Sequence, residues 1–233
     1  MQQASGHTLK AFDEDIERLR ALISQMGGLA EHAISEAMRC LVQRDTEGAL
    51  AIVQDDKKLD ALEVETERRA VQLIALRAPM AGDLRDVVAA LKISGVVERI
   101  GDYAKNIAKR VPLLENVGSI EPLSLLPEMA RIATEMVHNV LDAFVERDAE
   151  AAVRVCQRDQ AVDDFYDSIF RTLLTHMMEN PHNIGPSAHL LFVAKNLERV
   201  GDHATNIAEM VYFAATGDHL AEHIKNPVRG DQE

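Results

Sequence analysis

Tryptophan is absent from this 233-residue chain, and aromatic residues of all kinds make up only 4% of it. Glycine (12) and proline (7) are sparse too, so few positions force a turn or stop a helix. Hydrophobic residues, 47% of the total, are mostly Ala, Leu, Val, Ile and Met, a composition that favours long helices. The two cysteines, Cys40 and Cys156, lie far apart and form no CxxC pair. Neither a disulfide framework nor a thiolate zinc site is expected, and a reducing, cytoplasmic location is the simplest reading. No uncharged apolar run approaches the length of a transmembrane helix. The opening MQQASGHTLKAFDEDIERL is polar and acidic, the pattern of neither a signal nor a transit peptide. Positive charge is also short: 25 Lys and Arg face 38 Asp and Glu, a formal net charge of −13. That speaks against nucleic acid and anionic lipid as partners, and for a cation or a basic protein surface. A P-loop, a GxGxxG loop and hydrolase nucleophile signatures are missing as well.

What the chain has is a repeat. Residues 98–108 read ERIGDYAKNIA and residues 198–208 read ERVGDHATNIA. Each copy sets two carboxylates at i and i+4 (Glu98 and Asp102; Glu198 and Asp202) and an asparagine at i+8 (Asn106; Asn206). On a helix these side chains form one polar ridge. A second acidic pair recurs upstream, Asp56 and Asp60 in one half and Asp159 and Asp163 in the other. Glu63 extends the first of these by a turn, and its counterpart by offset is Tyr166.

Apolar spacing predicts a helix over about 8–44, a second to about 77 and a third over about 83–114. Gly27-Gly28 is a place where the first could kink. Asp45 or Thr46 is expected to cap the second, and Asp83 the third. The segment 116–127, with Gly and two Pro, reads as a linker. Three more helices are expected over about 125–146, 148–178 and 187–216. The fold class is therefore all-α: two tandem antiparallel three-helix bundles, residues 8–115 and 122–217, with 1–6 frayed and 218–233 a flexible tail.

If each hairpin folds about the middle of its loop (78–83 and 179–187), the ridges lie level. Asp60 then faces Asp102, Asp56 faces Asn106 and Glu63 faces Glu98; in the second half Asp163 faces Asp202 and Asp159 faces Asn206. Helical angles put Ile93, Val97, Ile100, Ala104, Ile107 and Val111 in the core, with Glu98, Asp102 and Asn106 opposite them on the outer surface. Asp56, Asp60 and Glu63 fall on the flank of their helix, so each pair of ridges borders a surface groove. Such a density of carboxylates repels itself unless a cation compensates, and an all-oxygen set suits Mg²⁺, Ca²⁺, Mn²⁺ or iron. Neither ExxxD copy supplies the Glu-x-x-His spacing of di-iron bundles, and neighbouring helical residues point about 100° apart, so His203, next to Asp202, is expected as an ordinary surface residue.

The stretches ERIGDYAKNIAKR and ERVGDHATNIAE resemble the paired signature of the PhoU family, and the resemblance covers about residues 8–216. It implies a cytoplasmic, homodimeric, non-enzymatic negative regulator of phosphate uptake and of the phosphate-starvation response. Such a protein works as an adaptor between the ATPase subunit of a phosphate ABC transporter and a sensor histidine kinase, reaching the membrane only through these partners. The resemblance further implies surface metal sites, divalent or ferric (iron, manganese, magnesium or zinc). Their positions here are Asp56, Asp60, Glu98 and Asp102 in one half, and Asp159, Asp163, Glu198 and Asp202 in the other; Glu63, one turn beyond Asp60, joins the first set from the helix geometry alone. The rivals are a metal-dependent carboxylate-bundle enzyme, such as an oxidase, a metal store, and a phosphate receptor.

Overall fold

The computed structural model describes residues 3–115, 117 and 121–220, and every regular element among them is helical. The chain opens with α1 (Gln3–Gln43), α2 (Thr46–Asp55), α3 (Lys57–Arg77) and α4 (Gly82–Ala108). After the short α5 (Val111–Leu114) come α6 (Leu126–Glu146), α7 (Ala149–Glu179) and α8 (Ile184–Thr216).

Helices α1, α3 and α4 pack together, as do α6, α7 and α8. The two bundles are joined broadside, because α1 also packs on α6 and α4 on α8. Side chains show α4 and α8 running antiparallel: the Arg110 guanidinium lies 3.8 Å from the Phe192 ring centroid, and at the other end Arg85 Nε donates to the Ala214 carbonyl. The expected α4 stripe, Ile93 to Val111, is buried throughout.

The repeat extends to the turns. Arg44 and Arg147 both take the left-handed conformation, with φ of 57° and 58°. The aspartate that follows each one caps the next helix: Asp45 accepts from the Gly48 N–H at 2.8 Å and Asp148 from the Ala151 N–H at 2.9 Å. Arg147 then reaches across the joint to the buried Asp86 of α4, which also accepts from Arg20 of α1; each contact is 3.2 Å.

Helix α1 runs unbroken through Gly27-Gly28, as the apolar spacing predicts, and α6 comes so close there that a Cβ on Gly27 would lie 2.2 Å from Leu141 Cδ1. Several expectations need correction. The helix expected over 46–77 is interrupted at Asp56, where the backbone bond to the Ile52 carbonyl is stretched to 3.3 Å. Asp83 is in the first turn of α4 rather than its cap, which is Ala81. Pro112 has no N–H to continue α4, and the chain re-forms as α5. Helix α8 begins at Ile184, because Pro186 falls in its first turn, where a missing N–H costs nothing. Within the stretch expected as a flexible tail, Leu220 is buried and His219 stacks on Phe213 at 5.2 Å. Residues 1 and 2, part of the frayed start, and 221–233, the rest of the tail, lie outside the described residues, as do 116 and 118–120 of the linker.

Candidate functional site

Each acidic ridge sits where two helices touch at a glycine. In the first half a Cβ on Gly101 would meet Leu59 Cδ2 at 2.2 Å and Asp56 Oδ1 at 3.8 Å. In the second, a Cβ on Gly201 would meet Asp159 Oδ1 at 3.0 Å and Val162 Cγ1 at 3.4 Å. Only a residue without a side chain lets α3 reach α4, and α7 reach α8, so closely. The carboxylates of α3 and α4, and those of α7 and α8, are thereby brought close enough to act on one another's charge.

The register differs by a few residues from the expected one. Asp56 lies beside Gly101 and reaches Lys105 rather than Asn106, Glu63 lies beside Gly95, and Asp159 lies beside Gly201 rather than Asn206. The cause is the turns. Helix α4 starts at Gly82 and α8 at Ile184, which moves each hairpin's midpoint toward the N-terminus. The ridges are also less outward than expected. Glu98 is half-buried, and the Glu198 side chain is only 15% exposed.

In the first groove Glu98 is pushed up to about 7, first by burial and then by Asp102, Glu63, Asp60 and Asp56. Glu63 is also raised, by burial and then by Glu67 and Asp60. A lysine bridges the groove. The Lys105 ammonium, only 22% exposed, pairs with Asp56 from across the groove and with Asp102 on its own helix. Burial alone would lower Lys105, but hydrogen bonds to Asp102 and Asp56 outweigh it and the net shift is upward.

The second groove is arranged differently. Asp159 is pushed up to about 6 by burial, then by Asp163, Asp202 and Glu198. Its Oδ1 is buried and receives no hydrogen bond. Asp163 and Asp202 are raised too, in both cases by burial first and Glu198 second. The cation here is Lys195, which pairs with Glu198 one turn along the same helix. Its ammonium lies 5.2 Å from the ring centroid of Tyr166, the residue standing where the first half has Glu63.

Between the grooves runs the α4–α8 seam. Tyr103 and His203, equivalent positions of the two repeats, meet there with Oη to Nε2 at 3.4 Å and rings edge-on at 5.2 Å. His203 is thus a packed seam residue rather than a free surface histidine. Burial lowers its pKa, and the Arg99 and Arg199 charges lower it further, against the opposing pull of a hydrogen bond to the Arg199 carbonyl and of Asp202. The sequence reading missed this contact and both lysines. The available signals were the shared offset of Tyr103 and His203, and the spacing of each lysine three residues from a ridge carboxylate.

The fit to a metal ion is one of chemistry more than of finished geometry. Among the described residues no three His, Cys, Asp or Glu side chains converge to hold an ion. The donors are nevertheless hard oxygens, crowded enough to raise one another's pKa, with the buried Asp159 Oδ1 lacking a hydrogen bond and an ammonium already seated between Asp56 and Asp102. That donor set suits a hard or borderline cation.

Comparison with known proteins agrees with the fold and the repeat. A family model described as the PhoU domain matches residues 23–111 and again residues 126–211. A phosphate-specific transport system accessory protein PhoU homolog of Zymomonas mobilis subsp. mobilis is 57% identical, over 95% of this chain and 94% of that one. A homolog of the same name from Caulobacter vibrioides is 47% identical over 92% and 94%. The crystal structure of PhoU from Pseudomonas aeruginosa superposes with a TM-score of 0.85 at 34% identity, covering 89% of this chain and all of that one. With both halves matched and the relatives covered almost end to end, this chain belongs to the PhoU family.

Proposed function

We propose that this protein is a negative regulator of phosphate uptake and of the phosphate-starvation response. In this reading it acts in the cytoplasm as a homodimeric, non-enzymatic adaptor between the ATPase subunit of a phosphate ABC transporter and a sensor histidine kinase. The observation that carries the proposal is the match to PhoU-domain proteins across both halves, whose named relatives are accessory proteins of phosphate-specific transport. No helix among the described residues is long and apolar enough to cross a membrane; in this reading the membrane is reached through partners. Affinity capture of the chain from cells grown with high and with low phosphate tests the adaptor role. Recovery of the ATPase subunit and the kinase, in amounts that change with phosphate, is expected. Capture of neither in both states refutes it.

Metal binding in the grooves is the second part of the reading. Asp56, Asp60, Glu63, Glu98 and Asp102 would hold an ion in the first groove, and Asp159, Asp163, Glu198 and Asp202 in the second. A bound divalent or ferric ion would supply the positive charge these carboxylates lack and stiffen the surface between α3 and α4 and between α7 and α8. Elemental analysis of the purified chain against Asp102→Ala with Asp202→Ala is the check. Equal metal content, or none in either, removes the metal role and leaves the adaptor role standing.

A further inference from the structure

We infer that the outer face of the α7–α8 hairpin is a docking groove for an amphipathic helix of a partner protein, with apolar residues toward the hairpin tip and lysine or arginine toward the other end. The inference rests on the adaptor reading and names the surface that holds a partner. On α7, Asp159, Asp163, Tyr166, Phe170, Leu174 and Met177 recur at spacings of three and four and so share one stripe. The matching stripe of α8 is Ile184, Ala188, Leu191, Lys195, Glu198 and Asp202. Two contacts fix how these stripes lie against each other: Asp159 sits beside Gly201, and the Lys195 ammonium lies 5.2 Å from the Tyr166 ring centroid. Carried along two antiparallel helices, that register sets Asp163 level with Glu198, Phe170 with Leu191 and Met177 with Ile184. Lys195 and Tyr166 thus divide the groove into an acidic end and an apolar end.

The apolar end is open. Phe170, Leu174 and Ile184 are 41%, 48% and 51% exposed, whereas a helix packed only within its own bundle turns a polar face to water. The Tyr166 and Phe170 rings lie 6.4 Å apart and form a continuous floor. This floor belongs to the second half alone: by the repeat offset, Glu63 and Glu67 of α3 stand where α7 has Tyr166 and Phe170. Side-by-side stripes of this spacing form the seat into which a further helix packs, with anchors at i, i+3 or i+4, and i+7. Charge sets the other end of that helix. Burial raises Asp163 first, and then the charges of Glu198, Asp164 and Asp167 raise it further. Lys195, the one ammonium of the stripes, already pairs with Glu198. A lysine- or arginine-bearing end complements these carboxylates. The same stripes of a second copy would bring only Lys195, so self-pairing complements them poorly.

The probes are fluorescein-labelled synthetic peptides about 18 residues long, leucine at the anchor spacing. One carries lysine in its N-terminal half, one in its C-terminal half, and a third has glutamate in place of lysine. Fluorescence anisotropy with the full chain should show saturable binding by one lysine peptide and none by the glutamate peptide. Phe170→Glu with Leu174→Glu should weaken binding about tenfold or more. Leu50→Glu, at an equally exposed leucine on α2, should leave it unchanged. Circular dichroism confirms that each variant is folded. Failure of both lysine peptides to bind, or binding that the double variant leaves unaltered, overturns the inference. So does a dimer in sedimentation, or binding to phosphatidylcholine vesicles, that the double variant abolishes, since either assigns the face to a second copy or to a membrane. In affinity capture from cells, the double variant should lose one of the two partners. Equal recovery by wild type and double variant overturns the docking face and leaves the adaptor role standing, whereas capture of neither partner by the wild-type chain overturns the adaptor role itself.

Discussion

Replacing Gly101 by alanine sets two effects of opposite sign against each other. Alanine in place of a mid-helix glycine stabilises a helix by about 1 kcal/mol. Here the new methyl would sit 2.2 Å from Leu59 Cδ2, and Leu59 is 4% exposed and cannot swing into solvent. Overpacking of a filled core costs about 1–3 kcal/mol, so the net change is a loss of roughly 1 kcal/mol. Gly28 is the reference, since nothing lies within 4 Å of a Cβ built there. Gly28→Ala keeps the helical gain alone, and the difference between the two variants isolates the contact at about 1–3 kcal/mol. In a chain of this size 1 kcal/mol moves Tm by about 2–4 °C. Thermal unfolding followed by far-UV circular dichroism should therefore raise Tm for Gly28→Ala and lower it for Gly101→Ala. Leu59→Ala closes the cycle. Alone it leaves a cavity and costs about 2–4 kcal/mol, whereas with Gly101→Ala the added methyl occupies part of that space. The double variant should lose at least about 1 kcal/mol less than the two single losses combined. Equal stabilisation by Gly101→Ala and Gly28→Ala, or an additive double variant, refutes the claim that α3 and α4 touch at this glycine.

Stability of the metal-free chain should fall with rising pH. Glu98 and Asp159 sit at about 7 and about 6 when folded, above their ordinary 4.5 and 3.8. The folded state therefore binds more protons, and this contribution is complete below about pH 4 and gone above about pH 7. Discounted for solvent screening, the two groups together amount to about 1–2 kcal/mol, to be read as a decrease in the urea midpoint of EDTA-treated protein; a midpoint that climbs over this window contradicts the crowding. Asp86→Ala strips the shared partner from Arg20 and Arg147 and should cost about 2–4 kcal/mol in urea unfolding. Because Arg147 comes from the second half, the same variant should loosen the joint between the bundles, seen as faster hydrogen exchange along the α4–α8 seam.

The core stripe and the long helical stretches were legible in the sequence because they follow from periodicity, whereas the full count of eight α-helices among the described residues was not, since neither the break at Asp56 nor the short α5 interrupts the apolar spacing. Ile93, Val97 and Ile100 fall every three or four residues and are buried accordingly. Register was less legible, since it depends on where turns begin, and a proline such as Pro186 marks the first turn of a helix as readily as a break. The lysines were least legible of all. Lys105 stands three residues from Asp102, the spacing of an ordinary exposed ion pair, and nothing local announces that Asp56 lies within its reach. That proximity is created by Gly101, which draws α3 onto α4. The same glycine recurs as Gly201 and draws Asp159 in just as closely, but the residue four positions later is threonine rather than lysine. Two copies of one carboxylate motif thus carry differently placed lysines: Lys105 crosses from α4 to reach Asp56, whereas Lys195 pairs along α8 with Glu198 and leaves the buried Asp159 Oδ1 without a hydrogen bond.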